Sequence, residues 1–436
     1  MSCFLLIFLS LIVSLSPGEV RAQPLDSPPS APDSTQSPGG VDFSWREGVH
    51  LGYHYGDTVK LELGGRLLVD GGYIAADQAL RDAYQSSYPP LQGWNDVLRS
   101  ARVKLVGTFY QTIEAKVEVE FAQTREFKDV WIASKKRIPV LGYVKAGNMK
   151  EPFSLERLTG TEDITFMQRS LPTTAFAPGY NLGFKFNNTV LDERITWSVG
   201  GFYNTGDLNN VYRGGDPQDK WSTANGYSLA ARMTGLPWYE KGGNGLLHLG
   251  FSYNFRARSA DKEGAEEKFS TRPESRLTKD KFVDTGNIPT TRSNLIEGEL
   301  AWVLGPFSLQ GEYFRAFVNA QGNPDFWGYY VYGSFFLTGE HREYDTTSGV
   351  FTGIKPKRNV LQGGWGAWEL AARYSSIHLN SHGVNGGKEN NFTAGLNWYL
   401  SSNLRLVFNY VRVNATNPNV DNGRANIYQS RFQISF

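Results

Sequence analysis

Arginine and lysine recur on the polar side of short alternating stretches of this chain, and a wall of fixed cations facing water holds anions. The positions are Arg66, Arg102, Lys104, Lys116, Lys145, Lys185, Arg232, Arg256, Arg373, Arg405 and Arg431, and Lys150 and Arg169 join them in a loop. Guanidinium forks match oxyanions bidentately, and low-dielectric walls focus the field of such charges on the water between them. The same faces carry Glu62, Asp70, Glu114, Glu118, Glu120, Glu297, Glu299, Glu312 and Glu369. Carboxylates can pair with cations across strands, so this balance alone does not decide the sign of the preferred solute. Other chemistry is poorly represented. The single cysteine, Cys3, lies in a leader-like segment, which excludes disulfide and thiolate chemistry downstream. Six histidines are scattered, and the His50/His54 pair has no third ligand beside it, so neither a metal nor a cofactor is expected. No nucleophile elbow, phosphate loop or paired acid and base is present, so no enzymatic activity is expected. A net charge of +1 argues against a nucleic-acid partner.

The elements that must position these side chains read as strands. In Thr112–Phe121, Ile113, Ala115, Val117, Val119 and Phe121 oppose Glu114, Lys116, Glu118 and Glu120. Successive strand residues point to opposite faces, so one face meets an apolar medium and the other meets water. A soluble sandwich could not bury that many charges; a hydrated lumen can. The same alternation marks about sixteen segments, near 59–74, 99–110, 113–124, 128–135, 140–148, 180–187, 195–204, 224–235, 244–257, 294–304, 307–318, 326–338, 366–378, 390–400, 404–414 and 426–436. An even count of this size predicts an all-β fold, a 16-stranded antiparallel transmembrane barrel with a water-filled bore. Connections alternate between tight turns and long external loops (75–98, 149–179, 205–223 and 258–293), except that 339–365 is long where parity asks for a short turn. Trp131, Trp197, Trp221, Trp302, Trp327, Trp365, Trp368 and Trp398 fall near segment ends, as interfacial girdles require.

The apolar run Phe4–Leu15 followed by Val20-Arg21-Ala22 reads as a secretory signal peptide over 1–22. The Pro- and Ser-rich stretch 23–45 reads as a disordered linker, and 46–436 as the barrel, placed in a bacterial outer membrane in contact with its lipid. The last strand carries Tyr428, Ser430, Phe432, Ile434 and the terminal Phe436 on one face, which resembles the assembly signal of outer-membrane barrels.

Residues 147–156 read GNMKEPFSLE, 164–172 read ITFMQRSLP and 175–179 read AFAPG; LGGRL at 63–67, Phe314-Arg315 and GGWGAWEL at 363–370 accompany them. This set resembles the phosphate-selective porin O and P family, with Gln168 and Gly160 as departures from its pattern. The resemblance implies a passive, trimeric diffusion channel preferring small anions such as phosphate. It also implies a third loop folded into the lumen, with Pro152, Phe153, Ser154, Phe166, Arg169 and Ser170 at the constriction. Independently, 149–179 is long, Pro-punctuated and rich in Phe, hence packed rather than solvated. A general or other-solute porin, a structural or adhesive barrel, and a barrel enzyme using His248 or His378 are the remaining alternatives.

Overall fold

The computed structural model describes residues 40–45, 49–55, 58–122, 126–204, 226–258 and 265–436, with side chains from residue 58 onward. The leader, most of the linker, Trp221 and the His50 and His54 side chains lie outside the described residues. Sixteen antiparallel strands form the barrel. The first eight are β1 (Val59–Ala76), β2 (Gln92–Phe109), β3 (Ile113–Glu120), β4 (Glu126–Ser134), β5 (Tyr143–Lys150), β6 (Tyr180–Val190), β7 (Ile195–Asn204) and β8 (Gly226–Tyr239). The others are β9 (Gly245–Arg258), β10 (Arg292–Leu304), β11 (Phe307–Val318), β12 (Asp325–Phe336), β13 (Ala367–Ser381), β14 (Val384–Tyr399), β15 (Leu404–Asn417) and β16 (Val420–Ser435). Each pairs with its neighbours in sequence, and β16 returns to β1 with Ala425 opposite Ala76 and Ser435 opposite Arg66. Phe436 completes the closure: its N–H donates to the Gly65 carbonyl at 2.9 Å, and its carbonyl accepts from the Gly65 N–H at 2.7 Å.

A hairpin of Gly40–Trp45 and Val49–Tyr55 pairs with the first residues of β1, from Leu51 opposite Leu63 to Tyr55 opposite Val59. One edge of β1 thus serves two partners in turn, the hairpin first and β16 beyond it. The paired strand Gly40–Trp45 thus lies inside the 23–45 stretch whose composition reads as linker.

Burial is inverted relative to a soluble protein. Outward side chains such as Phe184, Met233, Phe251, Phe408 and Tyr428 are about half exposed, whereas inward Ser252, Asn254, Asn391 and Asn397 are wholly buried. This is the pattern of a barrel whose outside meets hydrocarbon. Among the described residues no helix is long and apolar enough to cross a membrane, and the strands make the crossing.

Among the described residues, three connections turn inward. At the long-loop end these are 151–179 and the described part of the 259–291 connection; at the short-turn end it is 337–366. The strand count therefore stands, and the parity exception is a loop of the turn end that enters the bore. Its small hairpin, Tyr344–Asp345 with Val350–Phe351, is seated by the Tyr344 hydroxyl 2.6 Å from His248 Nδ1. The Arg232 guanidinium donates to the carbonyls of Ser348 and Gly349 at 3.3 and 2.7 Å. At that end Trp368 and Trp398 stack at 4.8 Å beside exposed Trp365, as a girdle should. Trp131 departs from the girdle, because its ring receives the Lys145 ammonium at 3.5 Å.

Phe251 lies mid-strand on the outer face. Phe251→Arg should destabilise the barrel by about 2–4 kcal/mol, the range for cations near a bilayer midplane. Denaturant titration in lipid vesicles measures this, and Phe251→Leu serves as the near-neutral control.

Candidate functional site: a cationic constriction under the third loop

Residues 151–179 fold into the bore because their own sequence is half apolar and the wall offers donors and acceptors for the rest. Phe153, Phe166, Leu171 and Phe176 are buried, packed with Phe269 of the second inward loop and with Phe314, Phe326 and Tyr330 of the wall. Two short helical turns stiffen the loop. Ser154 caps α1 (Leu155–Leu158) by accepting from the Arg157 N–H, and Ser170 caps α2 (Leu171–Phe176), with Pro172 in its first turn. Pro152 is buried just ahead of the first turn. Gly147, which opens the motif, has φ of 132°, and a side chain there would collide with the backbone of Val130 and Trp131 on β4.

Strand side chains then hold the loop backbone. Arg405 donates to the carbonyls of Ile164 and Thr165 at 2.9 and 2.7 Å. Asn397 donates to the same Thr165 carbonyl at 3.0 Å, and Asn409 accepts from the Met167 N–H at 2.8 Å. Arg373 reaches the Gln168 carbonyl at 3.0 Å, Glu156 at 3.2 Å and, from the second inward loop, Glu274 at 2.7 Å. Glu151 is buried and accepts from Asn181, Ser228 and Asn254. Arg66 pairs with Glu162. Burial alone would raise the Glu162 carboxyl, but the Arg66 guanidinium prevails and holds it at about 2. Burial and the Glu162 charge together push the adjacent Asp163 up to about 7.

Between this loop and the wall formed by β2 to β6 lies a cavity of about 300 Å³. Seven cations line it, Arg99, Arg102, Lys128, Lys150, Arg157, Arg169 and Arg276, against two carboxylates, Glu120 and Glu126. Arg102 is engaged by Glu118 and Glu120, and Lys128 by Glu126. The remaining five make no ion pair with a carboxylate among the described residues. Lys150 donates instead to the Arg157 carbonyl at 2.9 Å, Arg157 to that of Pro178 at 2.8 Å, and Arg169 to those of Glu156 and Thr159 at 2.9 and 2.8 Å. Arg99 Nε is buried without a hydrogen-bond partner among the described residues. Desolvation, reinforced by the neighbouring Arg157, pulls Arg169 down to about 10. Desolvation, with Arg272 and Arg157 adding to it, does the same to Arg276. Arg169 and Arg276 therefore remain cations at neutral pH, without a carboxylate partner among the described residues.

A family model described as phosphate-selective porin O and P matches residues 70–436. The chain belongs to that family. An uncharacterized protein of Caulobacter vibrioides is 26% identical over 386 residues, covering 88% of this chain and 73% of its own. Porin O of Pseudomonas aeruginosa is 23% identical over 411 residues, covering 84% of this chain and 85% of its own. Among solved structures, an anion-selective porin from Comamonas acidovorans superposes with a TM-score of 0.53 at 11% identity, covering 87% of this chain and all of the other. The family and the fold are those of an outer-membrane channel.

In this porin the cations singled out from the sequence divide into several groups. Arg102, Lys150 and Arg169 meet at the cavity. Arg66, Arg373 and Arg405 anchor the third loop. Arg256 pairs with Glu267 of the second inward loop, and Arg232 with Glu299 and the turn-end loop. Lys116 bridges Glu118 and Asp129, while Lys104 lies across Gly64. Lys145 and Lys185 face each other across β5 and β6, nearer the turn end. Strict alternation missed four of the lining cations. Arg99 is the extra residue of a bulge where the β1–β2 register shifts, so it and Ser100 both face inward. Lys128 sits in a second bulge opposite Glu118. Arg157 and Arg276 lie on loops, where no period exists to reveal them.

Replacing Arg405 by Ala removes the side-chain donor of the Ile164 carbonyl and one of the two of the Thr165 carbonyl, so single-channel recording should show a larger, noisier conductance with weaker selectivity. Asp163 is neutral below about pH 7 and an anion above it, so chloride preference should fall as pH rises through that value. Asp163→Asn should flatten this step in reversal-potential measurements.

Proposed function

We propose that the chain forms a passive channel for small anions, with phosphate as a transiently held solute at the cationic cavity. The observation carrying this reading is the convergence, on one cavity under the third loop, of five basic side chains that make no ion pair with a carboxylate among the described residues. An anion entering from the loop end exchanges part of its hydration for guanidinium and ammonium donors, and no energy source is required. Arg157, Arg169, Arg99 and Arg276 supply planar forks suited to a tetrahedral oxyanion; Lys150 supplies a point charge. Exit requires each contact to be weak, and the sharing of Arg157, Arg169 and Lys150 with loop carbonyls weakens them. Lys145, Lys185 and Lys116 then continue the path toward the turn end. A signal peptide over 1–22 and assembly as a homotrimer complete the proposal, the first supported by the apolar leader and the second by the family.

The test is bilayer recording in a KCl gradient, followed by added phosphate. The expected result is an anion-selective reversal potential and a chloride current blocked by phosphate. The pair Arg99→Gln and Arg276→Gln, which leaves the loop anchors intact, should lower the chloride-to-potassium permeability ratio about 2–5-fold and relieve the block. Cation selectivity, or no effect of phosphate, would overturn the reading.

A further inference from the structure

Across the bore from the cationic cavity, three glutamates meet where no cation suffices for them. Glu297 and Glu299 lie two residues apart on the inner face of β10, and Glu312 on β11 stands directly opposite Glu299. All three are buried, at 1, 4 and 3% exposure. One carboxylate oxygen from each lies within 4.8 Å of the other two. Glu299 Oε1 is occupied by Arg232 at 2.7 Å and His248 Nε2 at 3.2 Å. Glu312 Oε1 accepts from the Glu156 N–H at 2.7 Å and the Tyr330 hydroxyl at 2.6 Å. Glu299 Oε2 and Glu312 Oε2 have no hydrogen-bond partner among the described residues, and neither has either oxygen of Glu297.

We propose that this cluster is a structural calcium site. Glu297, Glu299 and Glu312 donate the unpartnered oxygens and water completes the shell. Three carboxylates face one guanidinium, so with His248 neutral the ionised cluster carries two uncompensated negative charges, the charge of one divalent cation. Buried, unpaired carboxylate oxygens are costly. Oxygens under 5 Å apart suit a hard ion bound at about 2.3–2.6 Å, and an all-oxygen set favours calcium over softer metals. The site would also brace the constriction. Glu312 holds the first helical turn of the third loop through the Glu156 N–H, so a metal on its other oxygen stiffens the wall to which that loop is fastened. This inference is independent of the sign of the permeant ion.

Because the cluster is closed to solvent, the ion is loaded as the barrel folds. Full-length protein refolded with calcium, dialysed and analysed by plasma mass spectrometry should retain about one calcium per chain. Protein refolded in EDTA should lack it and should show a lower melting temperature and a noisier open channel. Glu297→Gln, checked for folding by its heat-modifiable mobility, should lose the bound calcium and the calcium dependence of melting. Absence of stoichiometric calcium in the wild type overturns the proposal, as would magnesium in its place or unchanged metal content in the variant. Should the variant not fold, the wild-type comparison with and without EDTA decides alone.

Discussion

A β-sheet placed in hydrocarbon cannot leave an edge, because each unpaired backbone N–H or carbonyl there lacks any alternative partner. This constraint ties the two ends of the chain together. β1 must accept β16 along most of its length, and the exchange of hydrogen bonds between Phe436 and Gly65 seals the seam. The N-terminal hairpin occupies the part of β1 that β16 does not reach. Once the sheet is closed, every strand has one face committed to lipid and one to the lumen. The many charged inner positions follow from that division.

The lumen is then a polar solvent built of side chains, and it is used to fasten loops. Arg66, Arg373 and Arg405 look like pore-lining cations in one dimension, but their work is to grip the third loop by its carbonyls and carboxylates. Removing Arg373, which pairs with both Glu156 and Glu274, leaves buried carboxylates uncompensated, a cost of about 3–5 kcal/mol. The loop is thus held to the wall by hydrogen bonds and ion pairs, while its Phe side chains supply the apolar contact a bore otherwise lacks.

Much of this was legible in the chain. All sixteen strands follow from alternation, since period two survives wherever one face is lipid. The third loop was legible from its Pro and Phe content, and the motif through Glu156 named its family. The site was legible only in part. Arg99 and Lys128 sit at bulges, where one inserted residue resets the parity on which the reading depends. Arg157 lies on a single helical turn and Arg276 on irregular backbone. Glu297, Glu299 and Glu312 were visible as inward acids. Their convergence depends on the β10–β11 register, which alternation leaves undetermined.

The cations of the passage are bonded mainly to carbonyls of the loop that narrows it. Lys150, Arg157 and Arg169 all spend donors on residues 156–178. Aperture and charge are therefore one module rather than two adjustable parts. A change that loosens this loop therefore also scatters the basic side chains that bond to it. A segment built in this way cannot be trimmed at one residue without disturbing the charges held at another.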